Sequence, residues 1–211
     1  MDNLIISAKA NTKNAIINYI VEFYSIIPPN LFPLINKEKF NGLCKSGCPN
    51  YGKKWSCPPH APSFQDFTTG WKNLHILYIR AATDQFTYVK NNYLKIRAAN
   101  SILKSRADKF LRKMTEQKGK FISTGSCRLC KPCKCKSGAA CTHLNKMTFS
   151  FEALGVDVSM LVDKYFRVPL LWYKPNSLPE YTAVVCGLLT NESFSDKILY
   201  DEFIKHVKSK E

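Results

Sequence analysis

Eight of the nine cysteines fall in two short segments, residues 40–62 and 125–143, and nothing else in the sequence constrains the fold as strongly. The first segment carries Cys44, Cys48 and Cys57; the second carries Cys127, Cys130, Cys133, Cys135 and Cys141. Both are poor in apolar residues, so neither can order itself by burying a core. Bonds to sulfur must hold them, and the compartment decides which kind. The stretch 1–33 is apolar in places, but Lys9, Lys13 and Glu22 interrupt it and no small-residue cleavage site follows. No apolar run approaches the roughly 20 residues that a membrane helix needs. The expectation is a cytoplasmic protein with no membrane partner. In a reducing cytoplasm, clustered cysteines indicate metal or catalysis rather than disulfides.

Spacing narrows the metal. Cys127, Cys130 and Cys133 are each separated by two residues. That spacing lets one tight loop present successive thiolates to different irons of a cubane, as at the opening of a bacterial ferredoxin run. Neither Cys135 nor Cys141 stands at the ferredoxin position of the fourth cysteine. Structural zinc normally uses two Cys-x2-Cys pairs separated by a longer stretch, which this triple fits less well. Cys44, Cys48 and Cys57 are followed by Pro58-Pro59-His60, and a Cys-Pro pair also closes the ferredoxin run. Gly52 supplies a turn between them, with Tyr51 and Trp55 as aromatic shields. Eight loop cysteines equal two four-cysteine sites. The expected cofactor is one or two [4Fe-4S] clusters, with zinc as the alternative.

The first segment has only three cysteines of its own. Its fourth ligand is left open among Cys135, His60, solvent and a substrate. His60 and His143 are candidate ligands or proton donors, and Lys53, Lys54 and His60 are candidates to steer and protonate an anionic ligand. Cys186, among Val184, Val185 and Leu188, reads as a small buried hydrophobe. His75 and His206 read as non-functional. There is no Gly-rich phosphate loop, Ser–His–Asp signature or zinc-protease helix.

With 211 residues, 45% of them hydrophobic, the chain is expected to form one metal-binding domain over 1–211. Ile16, Ile20, Phe23, Tyr24 and Ile27 predict an amphipathic helix over 12–27, ended by Pro28-Pro29. Residues 40–70 read as loop-rich. Strands are predicted over Leu74–Ala82, Lys120–Ser123, Leu170–Tyr173 and Tyr181–Leu189, the last of them central in the sheet. A helix over 90–118 has apolar positions Ala99, Ile102, Leu103, Phe110 and Met114, and a basic face of Lys95, Arg97, Lys104, Lys109, Arg112 and Lys113. Phe149–Leu154 reads as a helical turn ended by Gly155, Val156–Val158 as an extended piece, and Ser159–Phe166 and 196–208 as helices. The fold class is α/β, with α+β the other possibility: a mixed sheet flanked by helices, from which two cysteine loops project.

The formal charge is +15. A Lys-rich solvated surface accounts for much of it, and nucleic acid, an acidic protein or an anionic substrate are the partner classes it admits. Many cations flank cysteines: Lys45, Lys53 and Lys54 in the first segment, Arg128, Lys131, Lys134 and Lys136 in the second. An anionic metal–thiolate cluster accounts for part of this excess.

The ordered set CKSGCPNYGKKWSCPPHAP, GSCRLCKPC with CTH downstream, and FSFEALGVDV resembles a family of predicted metal-binding proteins without an assigned function, found mostly in anaerobes. The resemblance runs from Cys44 to Gly187. It implies metal ligation by Cys44, Cys48, Cys57, Cys127, Cys130, Cys133 and Cys141. Cys135 is additional to the family pattern, and Thr142-His143-Leu144 departs from the His-Pro expected after the last cysteine.

Three functions fit these residues. One is an electron-transfer protein, with lysines that raise cluster potentials and attract an acidic redox partner. The second is a redox or sulfur-handling enzyme, with one iron left open to a small anionic or thiol substrate. The third is a zinc-stapled module that binds nucleic acid through the basic helix.

Overall fold

The computed structural model describes residues 5–116, 119–175 and 177–208. Five strands form one sheet: β1 (Ile5–Asn11), β2 (Ile16–Ile26), β3 (Asn73–Ala82), β4 (Lys120–Ile122) and β5 (Tyr181–Thr190). Their order is β1-β2-β3-β5-β4, and every pairing is antiparallel. The architecture is α+β, and the sheet expected to be mixed is antiparallel throughout.

The N-terminal region is strand where a helix was expected. Ile17, Tyr19, Val21 and Phe23 alternate with outward residues and bury one face of β2. The spacing Ile16, Ile20, Phe23, Tyr24 and Ile27 is a helical subset of a run that also has period 2, and β-branched Ile and Val favour the pleated surface. β1 supplies the partner, with Ile5 opposite Glu22 and Asn11 opposite Ile16. Pro28 then opens a 3-10 turn, Pro28–Leu34.

β3 and β5 are apolar nearly throughout because both their faces are covered. On one face Leu77, Ile79, Val184, Cys186 and Leu188 pack with α3 (Asn92–Thr115) and α5 (Asp196–Lys208). On the other, Ile76, Tyr78, Val185 and Leu189 pack with α2 (Phe64–Thr68) and α4 (Val158–Phe166) and with Phe149 and Phe151. Gly187 is required here, since a Cβ would meet Phe151 Cζ and Leu74 Cδ1, each at 2.9 Å. Of the helix expected over 90–118, residues 117 and 118 lie outside the described residues. Lys104 does not share its basic face: it is 8% exposed, and its ammonium donates to Ser123 Oγ at 2.9 Å and to the Thr124 carbonyl. Residues 170–173 are not a strand but a strap outside the sheet. The loop-rich stretch expected over 40–70 is interrupted by α1 (Lys37–Gly47), which carries Cys44, and by α2. Among the described residues no helix is long and apolar enough to cross a membrane.

His75 is buried on β3. Its Nδ1 lies 2.8 Å from Ser25 Oγ, which also donates to Asp196 at 3.0 Å, and its Nε2 lies 3.1 Å from Thr190 Oγ1. Burial lowers its pKa from 6.5 to about 4. The unfolded chain therefore takes up this proton at higher pH than the folded one. Stability present above pH 6.5 is lost as the pH falls towards 4, by up to about 3 kcal/mol. Denaturant unfolding at pH 7 and at pH 4.5 should show a smaller acid loss in His75→Gln than in the parent. Equal losses would mean that His75 does not contribute.

Candidate metal centres

The first cysteine group is built on α1 and the loop after it. Asn36 caps α1 by accepting from the Lys39 N–H at 2.9 Å. Cys44 lies in the last turn and Cys48 is the C-cap, with its N–H on the Cys44 carbonyl at 3.0 Å. Being four apart on a helical turn, the two side chains share a face. A turn at Gly52, whose φ is +63°, brings the chain back, and the Gly52 N–H donates to the Pro58 carbonyl at 2.9 Å. That closure places Cys57 opposite Cys44 and Cys48.

The FSFEALGVDV segment clamps α1 to the core. The Lys37 ammonium donates to the carbonyls of Ala61, Pro62 and Ala153. Gly155, with φ +94°, lies where a Cβ would come within 2.9 Å of Lys37 Cα. Asp157 caps α4 through the N–H groups of Ser159 and Met160 and pairs with Lys39 at 2.9 Å. Hydrogen bonds and the Lys39 ammonium hold the Asp157 carboxyl below the usual range, against a burial effect that raises it.

Cys44, Cys48 and Cys57 line an open cavity of about 690 Å³, walled also by Tyr51, Glu152 and Trp172. Small-molecule sites commonly span ~300–1,000 Å³. Burial pushes the Cys57 thiol up to about 11, and neighbouring Cys48 and Cys44 add to this against Ser56 and Lys54. Burial, Cys48 and Glu152 raise Cys44 as well. Crowded thiols resist losing their protons unless a cation takes the place of those protons.

The second group differs. Cys127, Cys130, Cys133 and Cys141 line a small cavity of about 20 Å³, with His143, Lys54 and Trp55 beside them. Burial and the neighbouring Cys133, Cys141 and Cys127 raise the Cys130 thiol. Between Thr124 and Met147 only Cys135 is buried, so this loop has almost no core of its own.

The two loops are fastened to one another. The Lys54 ammonium donates to Ser126 Oγ at 2.9 Å and to the Cys127 carbonyl at 3.0 Å. Ser56 Oγ accepts from the Cys127 N–H at 3.1 Å, and Trp55 Nε1 donates to the Ala139 carbonyl at 3.0 Å. Cys135 lines neither cavity; its Sγ lies 3.7 Å from the Gly52 carbonyl of the first loop. His60 is exposed, sits edge-on to Trp55 at 4.7 Å between ring centres, and lines neither cavity. Lys53 is exposed. Cys186 is fully buried on β5 and lines neither cavity, and burial raises its thiol strongly.

Of the two aromatics expected to shield the first group, Tyr51 lines its cavity and Trp55 lines the second one; sequence reasoning missed Glu152 and Trp172 as walls of the first cavity. Glu152 lies inside FSFEALGVDV, so that motif held the signal. Nothing in the spacing announces Trp172. All nine cysteines are free. Among the described residues, no group of three or more His, Cys, Asp or Glu side chains is arranged to hold a metal ion as it stands. The chemistry of the donors nonetheless suits a thiophilic metal, because three thiols meet at the first cavity and four at the second.

These features define a cysteine-rich, metal-binding class of protein. The chain belongs to the predicted metal-binding protein family DUF2284, whose model matches residues 33–189. No curated protein and no solved structure matches it.

Proposed function

We propose that this chain is an iron–sulfur protein with two unequal sites. Cys127, Cys130, Cys133 and Cys141 hold a closed cluster that relays electrons. Cys44, Cys48 and Cys57 hold a second cluster with one iron free of protein thiolate. The observation that carries this reading is the uneven division of thiols: four around a cavity of about 20 Å³, three around one of about 690 Å³. When bound, such clusters supply single-electron transfer and, at an open iron, a Lewis acid.

The protein's own groups do the rest. Lys54 bridges both loops and places positive charge beside Cys127 and Cys57. It offsets the charge of a reduced cluster and raises its potential. Tyr51 and Trp172 limit water at the open cavity. The exposed lysines beside the cysteine loops suit an acidic redox partner. A zinc ion at Cys127, Cys130, Cys133 and Cys141 is the second reading, favoured by the small volume of that cavity.

Cys135 decides between a carrier and an enzyme. Its removal is expected to leave the iron content unchanged, because its sulfur lies against a carbonyl rather than in either cavity. In Cys135→Ala loaded with iron and sulfide, added sulfide or a small thiol should still shift the visible and electron paramagnetic resonance spectra. Loss of about half the iron would make Cys135 a ligand, close both clusters, and remove the case for an enzyme.

A further inference from the structure

The thiol-lined cavity opens onto a second chamber of about 450 Å³. Gly125, Glu152, Val158 and Trp172 line both, so the two are lobes of one cleft. The second lobe gathers three cations from distant parts of the chain. Arg97 and Lys104 come from α3, and Arg128 comes from the second cysteine loop. Among the described residues, Glu152 is the only acidic one in its lining.

Two of the cations are not neutralised. No hydrogen bond or carboxylate among the described residues engages the guanidinium of Arg97 or Arg128; Arg97 lies over the Tyr93 ring, 5.9 Å from its centre. Lys104 is spent partly on Ser123, Thr124 and a long pairing with Asp108 at 3.9 Å. Its ammonium pKa is lowered by burial, with Asp108 opposing and Arg128 adding to the fall, so Arg128 is near enough to repel it. Like charges collected in a recess create a potential that an anion relieves. Neutral donors stand ready too: Asn100 accepts from Thr182 Oγ1 at 2.8 Å, which leaves its amide N–H groups available.

Much of the rest of the lobe is apolar or aromatic. Ile96, Val158 and Leu170 line it. The strap over 170–173 carries Trp172 and Tyr173 into the lining, with Trp172 Nε1 on Ser159 Oγ at 3.2 Å and Tyr173 against Tyr93 at 5.6 Å.

We propose that this lobe binds the anionic end of a small organic substrate, a carboxylate or phosphate on an apolar body, through Arg97, Lys104 and Arg128, and so directs its other end to the Cys44–Cys48–Cys57 cavity. The subsite rests on the reading of that cavity as the reacting site. Charge-assisted bonds hold the oxyanion and fix its position, and Trp172 covers the body that spans the two lobes.

Calorimetry and tryptophan fluorescence on the metal-loaded protein test this, with benzoate, phenyl phosphate and neutral benzyl alcohol as probes. Benzoate or phenyl phosphate should bind saturably, and benzyl alcohol should not; the tighter of the two anions identifies the headgroup. Arg128→Gln and, separately, Arg97→Gln should each weaken that binding about tenfold or more while metal content stays unchanged. Arg97 lies far from any cysteine in sequence, so its variant remains informative if Arg128→Gln disturbs the loop. Absence of saturable anion binding, or equal binding by both variants, overturns the subsite. Metal is counted on the same samples: full metal without anion binding defeats the subsite alone, whereas anion binding by protein that takes up no iron defeats the cluster reading alone.

Discussion

Replacing Cys130 with serine is expected to strip the second site of metal and to loosen residues 125–143, while Cys186→Ser leaves both sites loaded. The argument is one of burial. From Thr124 to Met147 only Cys135 is withdrawn from solvent, so hydrophobic burial contributes little to ordering this loop. The hydrogen bonds that Lys54 and Trp55 donate and that Ser56 accepts contribute about 1 kcal/mol each, less than the entropy of fixing so long a segment. Metal ligation has to supply the difference, because a site absent from the unfolded chain turns binding energy into folding energy. Cys186 is the contrast, being wholly buried between Val184 and Leu188 in the sheet. A hydroxyl there costs about 1–3 kcal/mol of stability through poor solvation and touches no cysteine pair. Limited proteolysis and metal analysis of the two variants check this together. Retained metal in Cys130→Ser, with loss in Cys186→Ser, would overturn the ligand assignment.

Long elements with one dominant pattern were legible in the sequence. The run Leu74–Ala82 is buried nearly throughout, as a run apolar along its whole length requires, and the helices from Asn92 and from Asp196 bury residues at helical spacing. β2 was not legible, because a run rich in Ile and Val satisfies two periods at once, and the choice between them lies in its pairing with β1. The strap over 170–173 failed for a related reason. Leu170, Leu171 and Trp172 look like a strand, but they find their contacts in the cleft rather than in the ladder.

The two cysteine groups separated in space as their spacing suggested, since a short loop can bring near neighbours to one cavity. Cys135 is different. Its place depends on how the second loop packs against Gly52, a contact between segments 83 residues apart that no local pattern records. The same holds for Arg97, Lys104 and Arg128. The sequence shows them as members of a large positive surplus, and only the fold gathers these three at one lobe. Likewise FSFEALGVDV was recognisable as a motif, whereas its work, seating α1 through Lys37, Gly155 and Asp157, is visible only in three dimensions.

The central claim concerns what the thiols hold, and counting it is the most direct test. Protein purified without oxygen should be brown, with broad visible absorption from sulfur-to-iron charge transfer, and should contain about eight irons and about eight inorganic sulfides per chain, divided between two clusters. Admitting oxygen should bleach it, the open first site going before the closed second. Iron, inorganic sulfide and zinc are determined on the same sample. A colourless protein with stoichiometric zinc and no sulfide would contradict the account.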